Sequence, residues 1–205
     1  MVKIKICGVR DLIGARACAA IGVEYAGLNF VASSPRSVTL PQAMELASRL
    51  GSCEPVAVFR DEKPEVIEDI ARQLELKWLQ LHGNETPEEC KRYRDQGLSI
   101  MKALSVTGPI APKDLKVWRG VADILLLDGK FPGSGKPFDW SLLKKLPELK
   151  GIEVGLAGGL TSTNVAEAVR TAHPALVDTA SGVEIRGIQQ KDRIKAFARA
   201  AREAE

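Results

Sequence analysis

Two side chains stand where an apolar run stops, and both can move a proton. Lys3-Ile4-Lys5-Ile6 runs straight into Cys7-Gly8, and Leu125-Leu126-Leu127 runs into Asp128-Gly129. A thiol whose thiolate is favoured is a base, and a carboxyl in a partly dry, apolar setting keeps its proton and is an acid. Each lies at the carboxyl end of an expected strand, the end where parallel α/β folds build their sites. Two glycine-bearing turns, Gly158-Gly159 and Ser181-Gly182, follow later apolar runs. Glycine lets the backbone approach an anion closely, and a helix that follows such a turn offers free amides and the positive end of its dipole. A nucleophile or proton-transfer group at Cys7, an acid at Asp128 and an anion cradle together read as chemistry on a phosphorylated ligand.

Each group also has a plainer reading. Unpaired cysteines are among the most buried residue types, so Cys7 also reads as a packing residue. As a base it needs nearby cations or helix amides; Lys5 is close in sequence but is expected to point to the opposite face from the neighbours of Cys7. Asp128 also reads as a turn or helix cap. The segment Lys130–Lys136 after it reads as a flap over the ligand or as a solvent loop. The glycine pairs also suit ordinary tight turns. In Ser33-Ser34-Pro35-Arg36-Ser37 the planar fork of Arg36 suits a substrate carboxylate, or is simply a solvated loop arginine. His82, closing Leu79-Gln80-Leu81-His82, contacts ligand, orients a neighbour or serves the scaffold. His173, ahead of the last strand, falls at the opposite face and is structural.

The elements that must position these groups are short apolar runs alternating with amphipathic stretches. Strands are expected at Val2–Ile6, Tyr25–Phe30, Pro55–Phe59, Trp78–Leu81, Ile100–Leu104, Ile124–Leu127, Ile152–Leu156 and Ala175–Val177. Helices are expected at Asp11–Ala20, Pro41–Leu50, Pro64–Leu74, Thr86–Gln96, Ala111–Arg119, Trp140–Leu146, Ser162–Ala172 and Gln190–Ala204. Proline and acidic residues at several starts suit the exposed amides of a first turn. Strands this short and apolar fit a parallel sheet covered by helices. Eight strand-then-helix units predict a single-domain α/β fold over residues 1–205, a (β/α)₈ TIM barrel with parallel strands. The segment from Cys7 to Ala26 resembles that from Gly158 to Val177 in spacing and alanine placement, as a repeated βα unit would. An open doubly wound sheet is the alternative, although it would need fewer strands at this length.

The 205 residues suffice for one full core, and 45% hydrophobic with 27% charged residues is ordinary for a globular chain. With 29 basic and 26 acidic residues, the net charge of +3 is too mild to imply nucleic acid or an anionic membrane as partner. No stretch is long enough to span a bilayer and the start lacks a signal-peptide core, so a cytoplasmic location is the default expectation. Cys7, Cys18, Cys53 and Cys90 lack C-x-x-C spacing, and with His82 and His173 they form no ligand cluster. Neither a disulfide framework nor a metal site is expected.

The motifs converge in order on one family. Lys5-Ile6-Cys7-Gly8, Ser34-Pro35-Arg36, Leu79-Gln80-Leu81-His82-Gly83, Leu127-Asp128-Gly129-Lys130, Gly133-Ser134-Gly135, Phe138-Asp139-Trp140, Leu156-Ala157-Gly158-Gly159-Leu160 and Ser181-Gly182-Val183-Glu184 follow one another along the chain. Together they resemble the phosphoribosylanthranilate isomerases, barrel enzymes of tryptophan biosynthesis. The resemblance implies an Amadori rearrangement of N-(5-phosphoribosyl)anthranilate to an open-chain carboxyphenylamino-deoxyribulose 5-phosphate, with no metal or organic cofactor. It implies Cys7 as the base at C2, Asp128 as the acid at the ribose ring oxygen, and Arg36 as the grip on the anthranilate carboxylate. It further implies phosphate held by amides around Gly158, Gly159, Ser181 and Gly182, with Asp178 near the sugar hydroxyls. The partner is then a phosphorylated small molecule, and the protein a monomer or a homodimer.

Asn29, Ala57, Ala180 and the stretch from Gly187 to Asp192 depart from the family pattern, and Ala180 removes a hydroxyl from the phosphate cradle. The sugar isomerase of histidine biosynthesis is the nearest rival, but it resembles an enzyme with two aspartates rather than a cysteine. A ribulose-phosphate epimerase would need metal-binding histidines, and a binding-only barrel would have no need of both Cys7 and Asp128.

Overall fold

Eight strands form and each pairs in parallel with the next. They are β1 (Lys3–Cys7), β2 (Tyr25–Asn29), β3 (Glu54–Phe59), β4 (Trp78–Leu81), β5 (Ser99–Val106), β6 (Ile124–Gly129), β7 (Glu153–Leu156) and β8 (Leu176–Thr179). β8 pairs back onto β1, with Lys5 opposite Asp178, so the sheet closes into a barrel and leaves no edge. The computed structural model describes residues 1–129, 139–145 and 149–204.

Seven α-helices cover the barrel among these residues: α1 (Leu12–Ile21), α2 (Leu40–Ala47), α3 (Pro64–Gln73), α4 (Pro87–Arg94), α5 (Pro112–Lys116), α6 (Val165–Ala172) and α7 (Lys191–Arg202). Their starts follow from side-chain chemistry. Asp11 accepts the Gly14 amide at 2.7 Å ahead of α1, while Thr39 with Gln42 and Thr86 with Glu89 close capping boxes on α2 and α4.

Several expectations need correction. The stretch Trp140–Leu146 is not an α-helix: residues Trp140–Lys145 form a 3₁₀ turn, and Leu146 lies outside the described residues, as does the segment Lys130–Lys136. The helix expected at Ala111–Arg119 shrinks to the five residues of α5. α6 begins at Val165 rather than Ser162, because the Asn164 side chain accepts the Thr161 amide at 2.7 Å and folds those residues into a turn. A 3₁₀ turn at Ser181–Val183 and a hairpin of β9 (Glu184–Ile185) with β10 (Ile188–Gln189) were not anticipated, since such short pieces show no period.

Alternation along each strand sorts the barrel into two layers. Tyr25, Val56, Met101, Ala103, Ile124, Leu126, Ala157 and Leu176 pack inside. Ile4, Ile6, Leu28, Phe59, Leu79, Leu81, Leu125, Leu127 and Val177 face outward into the helices. By the same parity several inward positions nearest the carboxyl ends are polar: Cys7, Asn29, Asp128 and Asp178, with His82 just beyond β4.

Among the described residues, one buried outward strand position is charged. Lys102 is buried and donates to the carbonyls of Leu81 at 3.3 Å and Gly83 at 2.7 Å and to Glu85 Oε2 at 2.7 Å. Glu85 in turn accepts the amides of Asp61 and Gly83, both at 2.9 Å, which locks the turns after β3 and β4 on either side of His82. Lys102→Met leaves the Glu85 carboxylate buried and unpaired, and it is expected to cost about 3–5 kcal/mol. Urea unfolding checks this; an unchanged midpoint would show that the pair contributes nothing.

Candidate active site

A cavity of about 430 Å³ opens at the carboxyl ends of the strands. Cys7, Arg36, His82, Asp128, Gly158, Gly159, Asp178 and Ser181 all line it. Gly182 does not: its Cα packs so closely on Leu160 that a side chain there would meet the Leu160 carbonyl oxygen. A second cavity, about 310 Å³ beside β5 and β6, has, among the described residues, Asp114 as its one ionisable lining residue and none of these groups.

Cys7 is the last residue of β1 and lies on the cavity floor. Lys5 does not point away from it. Residues two apart on a strand share a face, and the fully buried Lys5 ammonium reaches Asp178 Oδ1 at 3.0 Å. The expectation of opposite faces is overturned by simple parity. Burial pushes the Cys7 thiol up; Lys5 pulls it back, Asp178 opposes that pull, and Arg36 lowers it a little further, the balance lying above the ordinary thiol range. Burial works against the Lys5 charge, but Asp178 and Cys7 outweigh it and keep Lys5 firmly cationic.

Asp128 ends the inward row of β6. Its Oδ2 lies 3.3 Å from His82 Nε2, and His82 Nδ1 lies 2.8 Å from Gln80 Nε2. An amide N–H donating to Nδ1 leaves the histidine proton on Nε2, the nitrogen that faces Asp128. The other carboxyl oxygen, Oδ1, is buried with no hydrogen-bond partner among the described residues. Gly158, at φ +85°, lies directly against it: a Cβ there would be 2.6 Å from Oδ1 and 2.5 Å from the Gly129 amide nitrogen.

Arg36 is held by Glu184 through Nε and Nη2, both at 2.7 Å, and its stem crosses Gly8, where a Cβ would overlap its Cδ. The loop that carries it is tied to β2 by Asn29, whose Oδ1 accepts the Val31 amide at 2.8 Å and whose Nδ2 donates to Ser34 Oγ at 3.3 Å. Ser34 Oγ accepts the Arg36 amide at 3.1 Å. On the opposite side Gly158 and Gly159, both at positive φ, form a loop joined to β8 by Thr179 Oγ1 donating to Leu160 O at 2.7 Å. Among the described residues, the cavity lining on this side comes from that loop and from the 3₁₀ turn at Ser181, and none of it from α6.

Lys5, Asn29, Gln80 and Glu184 are the site residues that sequence reasoning missed. Strand parity points to Lys5 and Gln80, and Asn29 entered only as a departure from the family pattern. The pairing of Arg36 with Glu184, far apart in the chain, has no local signal.

The family model for N-(5'phosphoribosyl)anthranilate (PRA) isomerase matches residues 4–200. The N-(5'-phosphoribosyl)anthranilate isomerase of Myxococcus xanthus is 44% identical over 98% of this chain and 96% of its own, and that of Paramagnetospirillum magneticum is 40% identical over 98% and 97%. The phosphoribosyl anthranilate isomerase structure from Thermus thermophilus superposes with a TM-score of 0.88 at 32% identity over the whole of both chains. A phosphoribosyl anthranilate isomerase solved in complex with reduced 1-(o-carboxyphenylamino)-1-deoxyribulose 5-phosphate superposes with a TM-score of 0.85 at 31% identity, over 99% of this chain and all of the other. On full-length matches in both sequence and fold, this chain belongs to the N-(5'-phosphoribosyl)anthranilate isomerase family.

Proposed function

We propose that this chain isomerises N-(5'-phosphoribosyl)anthranilate in tryptophan biosynthesis with Cys7 as the base and Asp128 as the acid. The observation that carries the assignment of roles is their meeting: a thiol from β1 and a carboxyl from β6 line one cavity, beside a glycine-rich loop and below a paired arginine.

Asp128 gives its proton to the ribose ring oxygen; the bond from C1 to that oxygen breaks, and the anthranilate nitrogen supplies the electron pair that makes a Schiff base. The Cys7 thiolate then takes the C2 proton. The electrons of that C–H bond form a C1–C2 double bond, and the nitrogen takes back its pair. The enolamine relaxes to the ketone as the C2 hydroxyl loses a proton and C1 gains one, so substrate and product have the same composition. The substrate's own nitrogen is the electron sink. Arg36 binds the anthranilate carboxylate through the Nη1 donors that Glu184 does not use, and Asp178 lies within reach of the sugar hydroxyls. The amides of Gly158, Gly159, Ser181 and Gly182 hold the phosphate, which suits backbone free of bulky side chains. Gly182 is the least direct of these, since it stands behind Ser181 rather than on the cavity wall. We place the enzyme in the cytoplasm as part of this reading. Among the described residues, no helix is long and apolar enough to cross a membrane.

The intrinsic fluorescence of N-(5'-phosphoribosyl)anthranilate tests the activity. Purified protein is expected to speed its loss far beyond the buffer rate, and decay no faster than in buffer would overturn the reading. Gly158→Ala supplies a second check. A Cβ there displaces Asp128 and forces an unfavourable φ, so kcat/KM is expected to fall about 10²-fold, as for a comparable misplacement of a catalytic group. An unchanged value would mean that the Asp128 position is not critical.

A further inference from the structure

Among the described residues two lysines, Lys5 and Lys102, are fully buried, and they are not alike. The Lys102 ammonium has three hydrogen-bond acceptors, enough for all three of its N–H groups. Lys5 Nζ has one of comparable geometry, Asp178 Oδ1 at 3.0 Å. Among the described residues Cys7, which lines the active-site cavity, is the other group that interacts with it. Gly27, the register partner of Cys7 on β2, leaves the space in which they meet. A Cβ on Gly27 would lie 3.0 Å from Cys7 Sγ and 3.1 Å from Lys5 Nζ, so sulfur and ammonium are no further apart than those two distances together.

We propose that Lys5 is a positioning residue for the reaction: its ammonium is the shared counter-ion of Cys7 and Asp178. It pairs with the thiolate while Cys7 is ready to take the C2 proton, and turns wholly to Asp178 once the thiol has formed. The inference rests on the reading of Cys7 as the base. The charge balance explains why a lysine is needed. A thiolate on half-buried Cys7 beside the buried Asp178 carboxylate would be strongly disfavoured without a cation between them. With Lys5 in place the three groups carry one net negative charge before proton transfer and none after it. Among the described residues, the other charged or polar groups facing the pair are Arg36, from the loop after β2 and neutralised by Glu184, and, around Asp178, Asp128 from β6 and His82 from the end of β4.

The test is the pH dependence of Cys7 alkylation by iodoacetamide on the intact chain, followed by peptide mass. Cys18, Cys53 and Cys90 are buried, and burial pushes the Cys53 and Cys90 thiols up to about 12, so they stay silent. Lys5→Met is expected to move the Cys7 profile to higher pH and to slow alkylation at pH 7 about tenfold or more, the usual scale for loss of an adjacent opposite charge. Asp178→Asn removes the competing anion and is expected to move it to lower pH. The double variant is expected to fall between wild type and Lys5→Met. In turnover, Lys5→Met is expected to lower kcat with little change in KM.

A profile that does not move in Lys5→Met, or that moves the same way in both single variants, overturns the proposal. If Lys5→Met does not fold, the order of Asp178→Asn below wild type and the double variant above it decides. Alkylation needs no substrate, so the two claims fail separately. Expected profiles without isomerisation would remove the isomerase reading and keep the ion pairing. Normal turnover with unmoved profiles would remove only Lys5.

Discussion

Asp128→Asn is expected to lower kcat by about 10²–10⁴-fold, the range for losing a general acid, while the protein stays folded. The amide has nearly the same shape and can still meet His82, but it has no acidic proton for the ring oxygen. The C1–O bond must then break without protonation. KM is expected to change little, because the groups proposed to hold the carboxylate and the phosphate lie on loops after other strands. Steady-state fluorescence gives both constants, and circular dichroism checks the fold. A variant within a few-fold of wild type would mean that the proton comes from elsewhere, with His82, 3.3 Å away, the first group to examine.

Cys7→Ser is expected to be at least as damaging, with a kcat loss in the same range of about 10²–10⁴-fold. A serine hydroxyl fits the site but is a far weaker acid than a thiol, so almost none is ionised at neutral pH. The sign of the pH dependence follows from the thiol itself. Burial holds it above the ordinary range despite Lys5 and Arg36, so the thiolate fraction, and with it the rate, rises as pH increases from neutrality. Iodoacetamide is expected to abolish activity in step with Cys7 modification. Full activity in a fully modified enzyme, or in Cys7→Ser, would assign the base elsewhere.

The barrel was legible because each strand is a short apolar run bounded by turn residues, and β4 was found to the residue. Helix ends were read less well where side chains redirect the backbone, as Asn164 does ahead of α6. Cys7 and Asp128 stood out because a polar group ending an apolar run is conspicuous. Lys5 was misjudged although strand parity alone places it with Cys7. The pairing of Arg36 with Glu184 and the link from Gln80 through His82 to Asp128 depend on distances across the mouth, which one-dimensional periodicity does not carry. Gly182 shows the limit of a motif: it is glycine because Leu160 leaves no room for a side chain.

Single-turnover decay of substrate fluorescence, with enzyme in excess, tests the central claim most directly, because it separates chemistry from product release. The three proteins to compare are wild type, Cys7→Ser and Asp128→Asn. Fast decay with wild type and decay close to the buffer rate with both variants is the predicted result. A wild-type rate in either variant would contradict the pairing of this thiol and this carboxyl as base and acid.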